Sequence, residues 1–352
     1  CGLRAAQDDV GRFHGASYAT ELTLGADDGE TAGAALGSVA LDAHLDDSGN
    51  LDFDALRATV RLAVRALDNV LDCHRFPTES ARRAARRHRA LGLGIMGLAR
   101  ALHAKGLAFG SAAAEQFSDE CLEALAHCAI AASAELAAER GSYPTFKGSK
   151  WDRGLFPVDT FTLLEQDRGL ASEVPQGGRL DWQPVRALVA AHGLRHSALL
   201  ALSPTPGIDQ VAGTTASVDP AARNLQVRST LSGEFLVFAP ALVRDLKARG
   251  LWTSEMVEQL KYFDGEVQEI ATIPAYVKEK HRTAGDIDPL SLLRAAARRQ
   301  KWLDQSQALR LDLPPAHADN AAVAALLLTA WRMGLKSVWR LVPTHAAKSP
   351  SG

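Results

Sequence analysis

Cysteine is scarce in this chain of 352 residues: Cys1, Cys73, Cys121 and Cys128 are the only four, and none follows Cys128. No CxxC pair and no zinc-type Cys/His spacing occurs, so neither a dithiol oxidoreductase motif nor a zinc finger is expected. Cys121 and Cys128 lie seven residues apart in a helical pattern and read as small core residues. This cysteine usage points to a reducing cytoplasm. Charge of one sign is lacking too. The 39 Lys and Arg against 41 Asp and Glu leave a net charge of −2, which gives no reason to expect nucleic acid or an anionic membrane as partner. A charged-then-apolar leader and an apolar run of about 18 residues are both missing from this reading, so neither secretion nor membrane spanning is expected. Aromatics make up only 6% of the chain, and the abundant Ala and Leu favour helix-rich packing. The chain opens on Cys1 rather than Met, and further sequence is expected upstream.

What is present belongs to a globular protein, with 47% hydrophobic and 23% charged residues in one large domain or two ordinary ones. Asp54 to Leu71 places Leu56, Val60, Val64, Leu67 and Leu71 at helical spacing, with Asp52 or Asp54 as cap. Ala81 to Arg89 is basic and reads as a solvated face near a turn. Ala112 to Arg140 predicts a long helix stopped by Gly141. Tyr143 to Gly178 reads as irregular, and Trp182 to His192 as a helix. Leu225 to Phe238 predicts strands about a turn at Ser232-Gly233. Helices follow over Ala239 to Arg249, Thr253 to Tyr262 and Pro289 to Leu309. Asn320 to Met333 is apolar nearly all round and is expected to be buried, before a short strand in Leu335 to Val342. Strands alternating with helices imply a parallel α/β sheet. Gly92-Leu93-Gly94-Ile95-Met96-Gly97 matches G-x-G-x-x-G, but Arg86-Arg87-His88-Arg89-Ala90 before it is no buried strand, so close backbone packing is the better reading than a dinucleotide turn.

The stretch Leu194–Pro220 organises the rest. Ser197 to Ser203 is a short apolar run that suits a buried strand. Thr205 then offers a helix N-cap and Pro206 a first helical residue, an arrangement that aims free N–H groups at an anion. Arg195-His196-Ser197, Ser203-Pro204-Thr205 and Val218-Asp219-Pro220 resemble the Arg-Asn-Ser, Ala-Pro-Thr and Ile-Glu-Pro blocks of the class I ribonucleotide reductase large (α) subunit. The resemblance continues through Leu231-Ser232-Gly233-Glu234-Phe235, Asp245 to Trp252, and Gln300-Lys301-Trp302-Leu303-Asp304-Gln305-Ser306-Gln307. It implies a helix-rich α/β fold of the reductase barrel type. Residues 1–50 would be the loop entering the barrel and its first strand, residues 51–342 the second five-stranded half around that central loop, and residues 343–352 a disordered tail.

The resemblance also says where the chemistry should sit. The family's radical loop reads Ser-Asn-Leu-Cys-Thr-Glu-Ile-Thr-Leu, and this chain reads Ala16-Ser17-Tyr18-Ala19-Thr20-Glu21-Leu22-Thr23-Leu24. Glu21 keeps the acid/base position, Ser17 stands where Asn should be, and Ala19 stands at the radical cysteine. Ala34, in Ala34-Ala35-Leu36-Gly37, stands at a reducing cysteine. A thiol holds hydrogen weakly enough to form and quench a sulfur radical, and a methyl group does neither. Tyr18 is expected to face away from that position on an extended loop. The phosphate loop, Ser203, Pro204, Thr205, Pro206, Gly207, Ile208 and Asp209, has lost two hydroxyls to Gly207 and Asp209, Pro206 has no N–H, and Asp209 would repel a diphosphate. Trp339 and Arg340 occupy the paired-tyrosine positions of the radical relay. Arg298, Arg299 and Gln305 read as a structural, ion-paired element.

No metal ligand set and no cofactor are expected in this chain, while the family implies a metal-radical small subunit and nucleotide effectors. A reductase small or large subunit, a nucleotide ligand and oligomerisation are the partners the resemblance implies. Three readings stay open: an inert relative that acts by binding, an active reductase component whose radical residues come from elsewhere, and a decaying gene product.

Overall fold

The helices begin where the sequence supplies oxygen caps. In the computed structural model, which describes residues 12–13, 15–314 and 319–343, Asp52 Oδ1 accepts from Ala55 N at 3.0 Å and opens α1, Phe53–Cys73. Thr78 caps α2, Glu79–His88. The solvated face expected for Ala81 to Arg89 is the outer side of this helix, where Arg82, Arg83 and Arg86 are exposed. Only Ala84, Ala85 and His88 of α2 are buried, so its apolar stripe is too narrow to read against five arginines from Arg82 to Arg89. The short helix α3, Leu98–Lys105, follows. Ser111 Oγ caps α4, Ala112–Arg140, at 3.2 Å.

By length and composition α4 alone, among the described residues, could cross a membrane, contrary to the expectation of no such apolar run. Here 78% of its most apolar window is buried inside the protein. Cys121 and Cys128 both lie in it and are buried, with burial pushing the Cys121 thiol far above the ordinary range and Cys128 up to about 12.

Helix α5, Asp159–Arg168, interrupts the stretch expected to be irregular, and α6, Gln183–His192, ends at Gly193 as expected. Helix α7 is only Ile208–Ala212. Gly207 rather than Thr205 precedes it and makes no side-chain cap, so the expected cap at Thr205 and first-turn place for Pro206 are not realised. Helices α8, Pro240–Lys247, α9, Ser254–Tyr262, and α10, Ala275–Lys280, gather around a second, smaller core of Leu242, Leu246, Met256, Leu260, Val267 and Val277. Helix α11, Pro289–Gln300, stops nine residues before the predicted Leu309. Arg298 and Arg299 are on it as expected, but Gln305 is not. Helix α12, Asn320–Arg332, buries Leu326 and Ala330 but leaves Leu327, Leu328 and Trp331 exposed, so only one side of this apolar helix is covered. The tail expected to be disordered lies outside the described residues except Pro343, which ends a strand.

Among the described residues the named strands pair two by two. β1, Arg12–Phe13, meets β2, Gly25–Ala26, antiparallel; β3, Ala35–Ala40, runs parallel to β4, Leu91–Met96. β5, Leu225–Thr230, and β6, Gly233–Phe238, form the predicted hairpin, and β7, Arg310–Leu313, runs parallel to β8, Arg340–Pro343. The run 197–203 is not a named strand, yet it is buried and extended between two neighbours. Leu91 N donates to Ala198 O at 2.8 Å and Leu93 N to Leu199 O at 2.8 Å on one side, while Leu202 N donates to Ser306 O at 3.1 Å and Ala308 N to Leu202 O at 2.9 Å on the other. Parallel bridges join Leu93 to Leu200 and Leu202 to Gln307. Residues 91–96 are themselves the buried strand, and a Cβ at Gly94 would stand 2.6 Å from Ala201 O. The glycines therefore serve close backbone approach rather than a dinucleotide turn. The fold is a helix-rich α/β structure, with no closed barrel among the described residues.

One buried carboxylate ties these parts together. Asp68 on α1 accepts from Arg89 Nη2 at 2.6 Å, Arg140 Nη1 at 2.8 Å, Arg195 Nε at 3.3 Å and His196 Nε2 at 3.1 Å. Burial pushes its carboxyl up, but hydrogen bonds from His196 and Arg89 outweigh that and hold it well below the usual carboxylate range. Arg89 sits in the left-handed region, φ 48°, a strain its bonds to Asp68 and Asp72 hold in place. Asp68→Ala leaves these cations facing an empty site and is expected to cost about 3–5 kcal/mol in urea denaturation at neutral pH. Because the folded carboxyl is depressed, that contribution is present above the ordinary value of 3.8 and is lost as pH falls through the lower folded value. The difference between wild type and Asp68→Asn should therefore shrink on acidification.

Candidate functional site

The segment 17–23 is a tight turn rather than the extended loop expected. Ser17 N donates to Leu22 O at 2.9 Å and Thr20 N to Ser17 O at 2.9 Å, and Thr20 takes φ 60°. The turn sends Tyr18 outward, 91% exposed, and Ala19 inward, 3% exposed. The expected divergence of Tyr18 from Ala19 thus holds, with a turn rather than strand alternation as its cause.

Glu21 is buried at the centre. Ser17 Oγ donates to Glu21 Oε2 at 2.5 Å, and Ser203 Oγ donates to Glu21 Oε1 at 3.3 Å. Three of the predicted positions, Ser17, Glu21 and Ser203, therefore meet in one hydrogen-bonded group beside the Ala19 methyl. Each carboxylate oxygen already receives a hydroxyl, which fixes the side chain and lowers its availability to a ligand.

Sequence reasoning missed the residues that hold this turn. Thr23 N donates to Gln305 Oε1 at 2.9 Å, Ser306 N to Glu21 O at 2.8 Å, and Ser337 Oγ to Thr20 O at 3.1 Å. Ser306 and Ser337 hydroxyls lie 2.8 Å apart. Gln305, expected in an ion-paired helix, instead clamps the turn from an extended segment. That segment is fixed by Asp304, whose carboxylate accepts from Leu199 N at 2.9 Å and Leu200 N at 2.7 Å, and by Lys336 Nζ on the Asp304 and Gln305 carbonyls, both at 2.7 Å. Burial pushes the Asp304 carboxyl up to about 6. The only signal in the chain for this clamp was the Gln300–Gln307 block itself, and no spacing says which loop it meets.

The remaining predicted positions are less convergent. Ala34 is half-buried just before β3. Thr205 is buried, with its Oγ1 accepting from Ser217 N at 2.7 Å, and Ser217 Oγ donates to Ser203 O at 2.9 Å. Pro204 is half-buried, while Pro206 and Gly207 face solvent, Gly207 at φ 91°. Asp209 Oδ1 is buried without a hydrogen-bond partner. Thr205 Oγ1 is engaged as an acceptor, Pro206 has no N–H, and an acidic oxygen stands on the loop, features that disfavour a diphosphate here. Trp339 meets Tyr18 edge to face at 5.9 Å, and its backbone N–H donates to Leu309 O at 2.9 Å. Arg340 is exposed at the start of β8. Arg298 and Arg299 are structural: Arg299 donates to Gln307 Oε1 and Ser118 Oγ, both at 3.2 Å, and Arg298 to Gln116 Oε1 at 2.9 Å. Among the described residues no group of three His, Cys, Asp or Glu side chains could hold a metal ion.

The sequence pattern described as ribonucleotide reductase, barrel domain, matches residues 7–340. The ribonucleoside-diphosphate reductase subunit alpha of Chlamydia trachomatis is 43% identical over 98% of this chain and 33% of its own length. The ribonucleoside-diphosphate reductase large chain of Schizosaccharomyces pombe is 32% identical over 99% of this chain and 41% of its own. The chain therefore spans about a third of the chlamydial relative it matches.

Replacing Glu21 by Ala removes the acceptor shared by Ser17 and Ser203. We expect a loss of about 1–3 kcal/mol and faster amide exchange at Leu22 and Thr23, with α4 unaffected, read by hydrogen-exchange mass spectrometry.

Proposed function

The chain belongs to the ribonucleotide reductase barrel-domain family, and on that premise we propose that it comes from a large-subunit homologue that no longer reduces ribonucleotides and acts by binding a reductase subunit or a nucleotide. One observation carries this reading. A buried methyl, Ala19, stands at the position the resemblance assigns to the radical cysteine, in the turn that holds Glu21. A C–H bond of alanine is far stronger than an S–H bond, so the spin has no carrier there. Ala34 and the degenerate phosphate loop, Ser203 to Asp209, point the same way. A reductase subunit is the better-supported occupant, because the phosphate loop offers few donors to a nucleotide.

In the same reading, β3, β4, the run 197–203, the segment from 305 through β7, and β8 form one five-stranded half of the barrel. Residues 17–24 are the central loop against it, residues 1–50 the entry to the barrel and 51–342 its second half. Polypeptide outside this segment supplies the rest, and a cytoplasmic setting and a metal-radical small subunit follow from the family.

A second reading has its own support. Tyr18 and Trp339, both oxidisable rings, touch beside the Ala19 turn. In that reading the protein is an active component of deoxyribonucleotide synthesis whose radical residues differ from the family's.

The full-length protein, given an authentic small subunit, a dithiol reductant and a nucleoside diphosphate, is expected to form no deoxynucleotide, and Ala19→Cys alone is expected not to restore it. Co-sedimentation with the small subunit is expected to show a complex. Turnover by the wild type overturns the inert reading, and a protein radical seen by electron paramagnetic resonance during that turnover selects the second one.

A further inference from the structure

Two hydrophobic cores share this chain. The larger includes Val218, Ile287 and Leu292, and the smaller runs from Leu242 to Val277. Residues 281–287 return the chain from the smaller core to the larger. Asn224 Nδ2 donates to His281 O at 2.9 Å and Ala284 N to Ala221 O at 2.8 Å along this return. Glu266 stands on the smaller side, next to buried Val267, and Asp286 on the larger side, next to buried Ile287.

Thr283 lies between these two acids. Its Oγ1 is 3.3 Å from Glu266 Oε1 and 3.0 Å from Asp286 Oδ2, and its N–H donates to Asp286 Oδ2 at 2.9 Å. A hydroxyl carries one hydrogen and cannot satisfy two carboxylates at once. If both acids are ionised, one oxygen–oxygen contact is left bare and two negative charges face each other. Asp286 is exposed and takes a backbone N–H from Thr283. Glu266 is half-buried, and its backbone is fixed. It follows a turn with Asp264 at φ 52° and Gly265 at φ 85°, closed by Gly265 N on Leu260 O at 2.7 Å and Glu266 N on Phe263 O at 2.8 Å. A Cβ at Gly265 would stand 2.5 Å from Leu225 N, so this turn is packed directly on the start of β5.

We propose that a single proton, held by the Glu266 carboxyl against Asp286 and Thr283, fastens the smaller core to the larger one and loosens that joint when it leaves. Burial and the Asp286 charge push the Glu266 carboxyl up to about 7, and Arg223 is the cation that faces it and acts in the opposite sense. Since the joined form has the raised value, the fastening is complete below the ordinary 4.5 and declines as pH rises to about 7. The neighbouring part of the joint responds to acid instead. His281 bonds Asp245 at 2.7 Å, Lys280 reaches the same carboxylate at 2.9 Å, and the His281 ring lies 4.8 Å from that of His103. Burial and His281 bring His103 down to about 4. Those imidazoles are common to wild type and variants and cancel in a comparison.

Hydrogen exchange on the full chain, corrected for the intrinsic pH dependence, tests this. Protection of amides from Val267 to Val277, relative to α4, is expected to fall about tenfold between pH 6 and pH 8 in the wild type and to stay level in Glu266→Gln, which keeps the neutral form. Asp286→Asn is expected to flatten the profile too and to lower the Glu266 titration followed by carboxyl-carbon nuclear magnetic resonance. A Glu266→Gln profile that falls like the wild type, or a wild-type Glu266 that titrates below pH 5, overturns the proposal.

Discussion

Asp68 is the fixed point from which the parallel strands take their places. One carboxylate collects Arg89 two residues before β4, the end of α4, and Arg195 and His196 just before the 197–203 run. Buried cations of this kind are costly to desolvate, and that cost is offset only while the acceptor is present. Arg89 at φ 48° and the His196 ring, held by Ser133 at 2.8 Å on its other nitrogen, leave the two strands little freedom to slide. Register along β4 and 197–203 then decides where Ser203 ends. It ends over Glu21, so an ionic cluster at one end of the run sets a hydrogen bond at the other.

Elements whose burial repeats along one face were legible in the sequence. Helix α1 buries Leu56, Val60, Val64 and Leu71, the same stripe the periodicity shows, and α4 runs to the glycine that stops it. Helix α2 was not legible, because alanines form its inward face and arginines the rest, and tertiary contacts decide such a segment. Helix α12 misled in the opposite direction. Its apolar surface all round predicts burial all round, yet Leu327, Leu328 and Trp331 face outward here. Composition reports which surfaces avoid water and says nothing about which part of a protein covers them. The Thr205 cap failed for a local reason, since Thr205 Oγ1 had a better donor in Ser217 N.

At the candidate site, the identity of Glu21, Ser17, Ala19 and Ser203 was readable through the resemblance, whereas their mutual geometry was not. The contacts that bring Glu21 to Ser203 span residues 21 to 306 and are made mainly by backbone groups. Each of these bonds has a backbone group of the turn at one end, and a backbone group leaves almost no trace in side-chain pattern, so the sequence does not pair Gln305 Oε1, Ser306 N and Ser337 Oγ with the turn. Gln305 was even placed on a helix, because the preceding α11 pattern runs smoothly into it until Lys301 turns the chain.

At the turn, what holds the backbone is separate from what projects from position 19. Thr23 N, Ser306 N and the Thr20 carbonyl hold the turn, and none of them depends on what projects from position 19. An alanine there is buried at 3% exposure and leaves those bonds in place. Polar chemistry carries no such protection. Ser17 Oγ donates to Glu21 Oε2 at 2.5 Å and accepts from Leu22 N at 3.1 Å, so both bonds depend on the side chain at position 17. A small residue at position 19 therefore costs the fold little, while loss at Asp68, Asp304 or Gln305 would disturb the strands themselves.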